Sequence, residues 1–458
     1  MRLSAAALHA LPAPVARPEY DRDRHGIGIV HFGIGAFHRA HMAIYTDDAL
    51  AATGGDWRIL GVSLRSSSVR DQMRPQNGLY TLVEQSAAGS RARIAGSVAD
   101  VLVAMEERER LVATLAAPTT HIVSFTITEK GYCRGPDGGL DPLQADSNSV
   151  YAYLAEAFAR RRAAGLNGLT LLSCDNLSGN GAQLHRLMAE YLDRHAPDAL
   201  AWFLAECTCP STMIDRIVPA TTAADKIQVE NLIGLRDEAA VISEPFSQWV
   251  IEDRFAGPRP CWDRHGVQFA ADIAPFETAK LRMLNGAHSA LAYLGLQRGH
   301  DYVHQAIADA ELYPLIDRLM REEAATSLTP SADQDLARYA DRLVERFRNP
   351  ALQHRLIQIA MDGSQKLPQR WLETLAFHAD NGRRCIAIEA AIHAWIDHIG
   401  NGRNPLDDPL AEQLRELVTP GDPRKSMMAL FGTQGLLPGR WSAGIAQIAG
   451  KSAAISSS

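Results

Sequence analysis

The hydrophobic periodicity of the chain changes once, near residue 275, and that change constrains the fold more than any other feature. From about Gly26 to Ala274 short β-rich runs alternate with helical stretches. Ile27–Phe32, Arg58–Leu64, His121–Ile127, Leu169–Ser173 and Ala240–Ser243 read as strands. Strands that alternate with helices imply a parallel sheet covered by helices. From Pro275 onward the apolar pattern becomes long and helical in period, over Phe276–Gln297, Leu312–Glu323, Ala332–Phe347, Leu367–Phe377, Cys385–Ile399 and Leu410–Leu417. A chain of 458 residues is too long for one ordinary core. The reading is therefore an α/β domain over residues 1–275 followed by a mainly α-helical domain over residues 276–458. The tail 451–458 is small and polar and reads as loose.

Composition removes several function classes. The formal charge is −7, which offers no electrostatic footprint for nucleic acid or for an anionic membrane. The run Arg160-Arg161-Arg162 reads as the solvated face of a helix. Cys133, Cys174, Cys207, Cys209, Cys261 and Cys385 are scattered without a CxxC pair, a spacing that suits neither a zinc site nor a secreted disulfide framework. No metal is expected, and the cytoplasm is the expected compartment. The opening MRLSAAALHALPAPVARPEY is broken by prolines and arginines before it reaches signal-peptide length. No apolar run approaches the roughly 20 residues that cross a bilayer.

The first strand ends in Gly33-Ile34-Gly35 and leads into Phe37-His38-Arg39-Ala40-His41, which begins a helix. Glycines at such a junction let main-chain N–H groups approach a pyrophosphate, and the helix dipole favours its charge. His38 stands where the third glycine of the usual dinucleotide fingerprint would be, so an ordinary tight turn remains an alternative. An acid is expected after the second strand if the coenzyme is NAD. Here Leu64 is followed by Arg65-Ser66-Ser67-Ser68, with no carboxylate before Asp71. Arg65 and its serines suit a 2′-phosphate, which leaves NADP open beside NAD, or they form a polar surface loop.

Only six of the 46 basic residues are lysine. In so arginine-biased a chain, a lysine within an apolar helix stands out, because a desolvated lysine can titrate near neutrality and an arginine cannot. Lys280 opens Lys280-Leu281-Arg282-Met283-Leu284-Asn285-Gly286-Ala287-His288. On an ideal α-helix Lys280 and His288 lie about 80° apart, so a base, an amide and an imidazole share one broad face. Asn176, in Cys174-Asp175-Asn176 directly after the strand Leu169–Ser173, adds a second amide at a carboxyl strand end, where such folds bind ligands. The bland alternative for these residues is a set of core-edge side chains satisfied by hydrogen bonds.

Several segments in one order resemble the mannitol dehydrogenase family of polyol-specific long-chain dehydrogenases, which includes fructuronate reductases. They are residues 29–41, Thr128-Glu129-Lys130-Gly131-Tyr132, Ser173-Cys174-Asp175-Asn176, Ser211-Thr212-Met213-Ile214-Asp215-Arg216, Ser243-Glu244-Pro245-Phe246, residues 248–253, residues 280–288 and Asp362-Gly363-Ser364-Gln365-Lys366. The resemblance runs from about residue 28 to about residue 435. It implies a Rossmann-like dinucleotide-binding domain, a helical catalytic domain, and metal-free hydride transfer with NAD in the cleft between them. It further implies Lys280 as general base, Asn176 and Asn285 as donors to the developing alkoxide, and His288 as orienter of substrate or lysine. Glu277 would be the proton-relay acid, and Asp215 would meet substrate hydroxyls. Gly33, Gly35, Phe37, His38, Arg39 and Arg65 would face the coenzyme.

The substrate class implied is a linear polyol, its ketose, or a sugar acid. Lys366 and Arg370, in Gly363-Ser364-Gln365-Lys366-Leu367-Pro368-Gln369-Arg370, suit a carboxylate, as in fructuronate reductases. Asn176-Leu177-Ser178-Gly179-Asn180-Gly181 is closer to mannitol 2-dehydrogenases. Family members are often monomeric, so a monomer or weak oligomer is implied. Zinc alcohol dehydrogenase chemistry lacks its cysteines here, and short-chain reductase chemistry lacks a Tyr four residues before a Lys. Gly450-Lys451-Ser452 looks like a P-loop ending but has Ile445 at the first glycine position. A catalytically silent NAD-binding sensor or scaffold is the alternative class, and it would have no reason to keep Lys280, Asn176, Asn285 and His288 together.

Overall fold

The computed structural model describes residues 1–351 and 353–442; the tail 451–458 and Gly450-Lys451-Ser452 lie outside the described residues. The chain divides into two compact units between Ile273 and Ala274.

The first unit is built on five parallel strands, β1 (Ile27–Phe32), β2 (Arg58–Ser63), β3 (Val98–Val103), β4 (Ile122–Phe125) and β5 (Thr170–Ser173). Their order across the sheet is β3-β2-β1-β4-β5, the order of a nucleotide-binding doubly wound sheet, which reverses direction between β1 and β4. Val30, Phe32, Leu60, Val62, Val123 and Phe125 pack on one face with the helices Val150–Ala163 and Asn180–His195. Ile29, Ile59, Val101, Ile122 and Leu172 pack on the other with Met42–Thr53. Burial on both faces explains why these strands read as continuous apolar runs.

Two small sheets accompany the large one, and one of them corrects the expected strand list. Val241–Ser243 is a strand, but it lies outside the parallel sheet and pairs with Tyr80–Ser86, itself hairpinned to Gly89–Ala95. One edge of the main sheet is β3, which the sequence reading did not mark. The hairpin turns through Ala87-Ala88, without the Asn-Gly or Asp-Gly signal that makes such turns visible in sequence. The third sheet joins Thr212–Asp215, Gln248–Glu252 and Gln268–Ala270.

The second unit is helical, and three of its helices change winding. Residues 276–297, expected as one ideal α-helix, form an α-helix over Ala274–Ala279, a π-helix over Lys280–Asn285 and an α-helix over Gly286–Gln297. π segments also occupy Leu319–Ala324 and Pro368–Leu372. Leu336–Phe347 begins four residues later than Ala332, where the Asp335 carboxylate caps it by accepting from the Arg338 N–H at 2.9 Å. The helix Gly286–Gln297 runs through the core of this unit, with Ala287, Ala290, Leu291 and Ala292 fully buried beside Trp371 and Trp395.

Candidate active site

The turn after β1 is fixed by the main chain. Gly33 has φ +94°, and a Cβ there would fall 2.0 Å from the Thr126 carbonyl oxygen just past β4, so only glycine closes this approach. Gly35 differs: it is exposed, and a Cβ would meet nothing nearer than the Gly33 oxygen at 3.7 Å. Nothing in the chain requires bareness at Gly35, whereas a pyrophosphate drawn onto the start of a helix does. This bare ledge at the sheet's reversal point fits NAD.

Phe37 is half-buried beside this turn, with its ring 5.1 Å from that of His41. His38 is buried and stacked 3.4 Å from the His31 ring, and neither of its nitrogens has a hydrogen-bond partner among the described residues. Burial holds the His38 imidazole well below its ordinary value, so it stays neutral. Arg39 is buried, and its guanidinium donates to the carbonyls of Gly35 and Ala239. His38 and Arg39 are thus both buried beside the turn, and Arg39 braces it through the Gly35 carbonyl. Arg65 follows β2 in an exposed loop and has no ion-pair partner among the described residues. Asp71 is held instead by the Ser67 hydroxyl at 2.7 Å and by Arg70.

The loop after β5 is a second constructed feature. Asp175 accepts hydrogen bonds from the N–H groups of Ile127 and Thr128, both at 3.0 Å, and from the Tyr132 hydroxyl at 2.8 Å. These hold Thr128 at φ +62°, a conformation that needs such support. Asn180 donates to the carbonyls of Asp175 and Thr212 and accepts from the Thr212 N–H. Between these two anchors Asn176 is exposed. The sequence reading marked Asn176 but neither anchor; the acid directly before it was the available signal. Asp215 closes the strand Thr212–Asp215 and is buried.

In the second unit Glu277, Lys280, Asn285 and His288 follow one another through the change of winding, and all are half-buried. The Gly286 N–H donates to the Leu281 carbonyl five residues back. An α-helix would set Lys280 and Asn285 about 140° apart; i→i+5 winding brings residues five apart toward the same face. The ideal-helix geometry assumed for this segment is thereby corrected, and the pairing of lysine with amide becomes closer. His288 packs against Phe347 at 4.8 Å and His354 at 5.2 Å, and its Nε2 has no partner among the described residues. Burial, with His354 nearby, keeps it well below its ordinary pKa.

Lys366 and Arg370 lie one turn apart. Lys366 Nζ donates to the Met361 carbonyl at 2.6 Å and lies 3.6 Å from the Asp362 carboxylate. Arg370 Nη1 donates to the Asn285 carbonyl at 3.2 Å and to the Ser289 hydroxyl at 2.6 Å. Its Nη2 and Nε have no acceptor, and no carboxylate pairs with it, among the described residues. Burial pulls the Arg370 guanidinium down to about 10, and burial with Arg370 beside it lowers Lys366. Ser289 and Trp371, which complete this group, carried no sequence signal, because a serine and a tryptophan within apolar helices read as core.

All six cysteines are free thiols, and no helix among the described residues is long and apolar enough to cross a membrane.

Comparison with known proteins converges on these elements. The mannitol dehydrogenase Rossmann domain matches residues 27–264, and the mannitol dehydrogenase C-terminal domain matches residues 272–430. D-mannonate oxidoreductase of Escherichia coli (strain K12) is 39% identical, with 92% of this chain and 91% of that protein covered. Mannitol 2-dehydrogenase of Pyrenophora tritici-repentis is 37% identical over 89% of this chain and 76% of that protein. The solved structure of Pseudomonas fluorescens mannitol 2-dehydrogenase, a ternary complex with NAD and D-mannitol, matches with a TM-score of 0.80 and 34% identity over 97% of this chain and 95% of that one. With both domain models matched in order and the strand order, glycine turn and lysine helix in place, the chain belongs to the mannitol dehydrogenase family.

Proposed function

We propose that this protein is an NAD-dependent oxidoreductase that interconverts a sugar acid and its keto form, of the D-mannonate/D-fructuronate type. The observation that carries the choice within the family is Arg370: a half-buried guanidinium with two open donor nitrogens and no carboxylate partner among the described residues, one turn from Lys366. A buried cation without a counter-ion is costly, and a substrate carboxylate would relieve it through a paired, charge-assisted contact. The similarity to a D-mannonate oxidoreductase supports the same reading. The relatives named above are all oxidoreductases, which leaves the silent-sensor alternative without support.

The coenzyme would be held by the Gly33–Phe37 turn, with Arg65 toward its adenosine end, and when bound it supplies the hydride acceptor or donor. Lys280 takes the proton from the substrate hydroxyl in oxidation and returns it in reduction. The side-chain amides of Asn176 and Asn285 donate to the substrate oxygen while it carries negative charge. Glu277 passes the proton onward to solvent, Asp215 meets substrate hydroxyls, and His288, neutral, orients the lysine or substrate. No step needs a metal, and the six free thiols suit a reducing compartment such as the cytoplasm, where the protein would act as a monomer or weak oligomer.

Initial rates of NADH and NADPH oxidation with D-fructuronate and with D-fructose test this directly. The expected result is a kcat/KM at least about tenfold higher for D-fructuronate, a difference of ~1.4 kcal/mol. Lys366→Met is expected to raise KM for the acid and leave that for the ketose unchanged. A preference for D-fructose would overturn the sugar-acid reading and make the protein a ketose reductase of the same family.

A further inference from the structure

π winding is rare and short-lived in helices unless other groups support it. At Lys280–Asn285 three supporting bonds converge on the end of the turn. Arg370 Nη1 donates to the Asn285 carbonyl at 3.2 Å and to the Ser289 hydroxyl at 2.6 Å. Trp371 Nε1 donates to the next carbonyl, Gly286, at 3.2 Å. Both donors belong to a second π segment, Pro368–Leu372. Ser289 is 0% exposed and Trp371 1% exposed, so water does not compete for the tryptophan's bond and substrate does not reach the serine. The acceptors sit at the seam where i→i+5 winding gives way to the α-helix Gly286–Gln297.

We propose that Ser289, Trp371 and the Nη1 end of Arg370 lock the π-turn at Lys280–Asn285 and so keep the lysine amine and the asparagine amide on one face, while the other nitrogens of Arg370 are left to the substrate. The proposal rests on the reading of Lys280 as base and Asn285 as alkoxide donor. With the three bonds broken, the wide turn is no longer pinned there and can shift along the helix, which leaves α winding at 280–285 and carries Asn285 toward the position about 140° from Lys280. Base and oxyanion donor then no longer face one oxygen, so the chemical step slows while coenzyme binding, which belongs to the other unit, does not change.

The test uses the full chain with Ser289→Ala and Trp371→Phe, singly and together, beside Lys280→Met. Each lost hydrogen bond is expected to lower kcat about three- to tenfold, for D-fructose as well as for D-fructuronate, with KM for NADH unchanged. The midpoint of the pH profile of kcat/KM is expected to move, because the surroundings of the lysine change. A purely structural role would lower Tm and leave that midpoint and the kcat of the folded fraction alone. Wild-type kcat and pH midpoint in both Ser289→Ala and Trp371→Phe would overturn the lock, and Trp371→Phe alone decides if the serine variant does not fold. Lys280→Met with wild-type turnover would instead remove the catalytic reading beneath it, whereas an inactive Lys280→Met beside unaffected lock variants would remove the lock only.

Discussion

The Gly33 turn of the first unit and the Lys280–Asn285 turn of the second both depart from regular winding, and they are held in opposite ways. The Gly33 turn is set by main-chain atoms: its N–H donates to the Val62 carbonyl at 2.8 Å, and the Thr126 carbonyl excludes any Cβ. The π-turn is set by side chains 81 to 85 positions further along the chain. A turn dictated by sterics can be recognised from its own residues. A turn dictated by distant donors cannot, although it places the chemistry more directly.

The most severe way to break this comparison is Lys280→Ala. Loss of general-base catalysis alone accounts for about 10²–10⁴-fold in turnover, and single-turnover rates with saturating NADH should show at least that, with coenzyme affinity unchanged. Wild-type-like turnover would show that the π-turn carries no chemistry. Next, Gly33→Ala should destabilise the first unit by on the order of 3 kcal/mol, since both the left-handed φ and the Thr126 carbonyl oppose a side chain. Denaturant titration reads this, and an unchanged midpoint would mean that the turn is softer than its geometry.

Acid should expose the same turn. Burial draws His31 down from 6.5 to about 3, so on acidification below pH 6.5 the unfolded chain binds a proton that the folded one refuses. Stability is therefore present above pH 6.5 and lost as pH falls toward 3, amounting to ~2 kcal/mol by pH 5. Because His31 bonds to Ser124, Thr126 and Gly33, the loss falls on the coenzyme turn. His31→Gln should flatten the difference between denaturation midpoints at pH 7 and pH 5; an equal slope in both proteins would assign the acid sensitivity elsewhere. The smallest effect sharpens the contrast within the turn. Gly35→Ala should leave stability within ~0.5 kcal/mol yet weaken NADH binding about tenfold, measurable by fluorescence titration. Unchanged affinity would mean that the ledge at Gly35 is not where the coenzyme lies.

Much of the first unit was legible because a parallel sheet buried on both faces writes itself as unbroken apolar runs. Four of its five strands and the glycine turn follow from that rule. β3 did not stand out, and Ala240–Ser243 looked equivalent to the others, because three to six apolar residues do not say which sheet they join. In the second unit the periodicity located Phe276–Gln297 as helical but could not show the extra width at Lys280–Asn285. The winding there depends on Arg370, Trp371 and Ser289 meeting across the core. Arg370 was marked for its charge alone, and its hold on the Asn285 carbonyl became visible only with the fold.

The three π segments also fix how the sequence can be edited. A π-turn holds one residue more than the α-turn it replaces, so the helix on either side is written in two frames offset by a single position. Deleting any one residue of 280–285 would restore uniform α winding, and because five α residues turn through about the same angle as six π residues, the helix beyond would keep its facing. Gly286, Ala287, Ala290 and Leu291, now buried, would stay turned to the core. Point substitutions in this helix therefore challenge one contact at a time, whereas a single-residue deletion would remove the wide turn, and with it the pairing of lysine and amide, and leave the packing of the helix beyond in place.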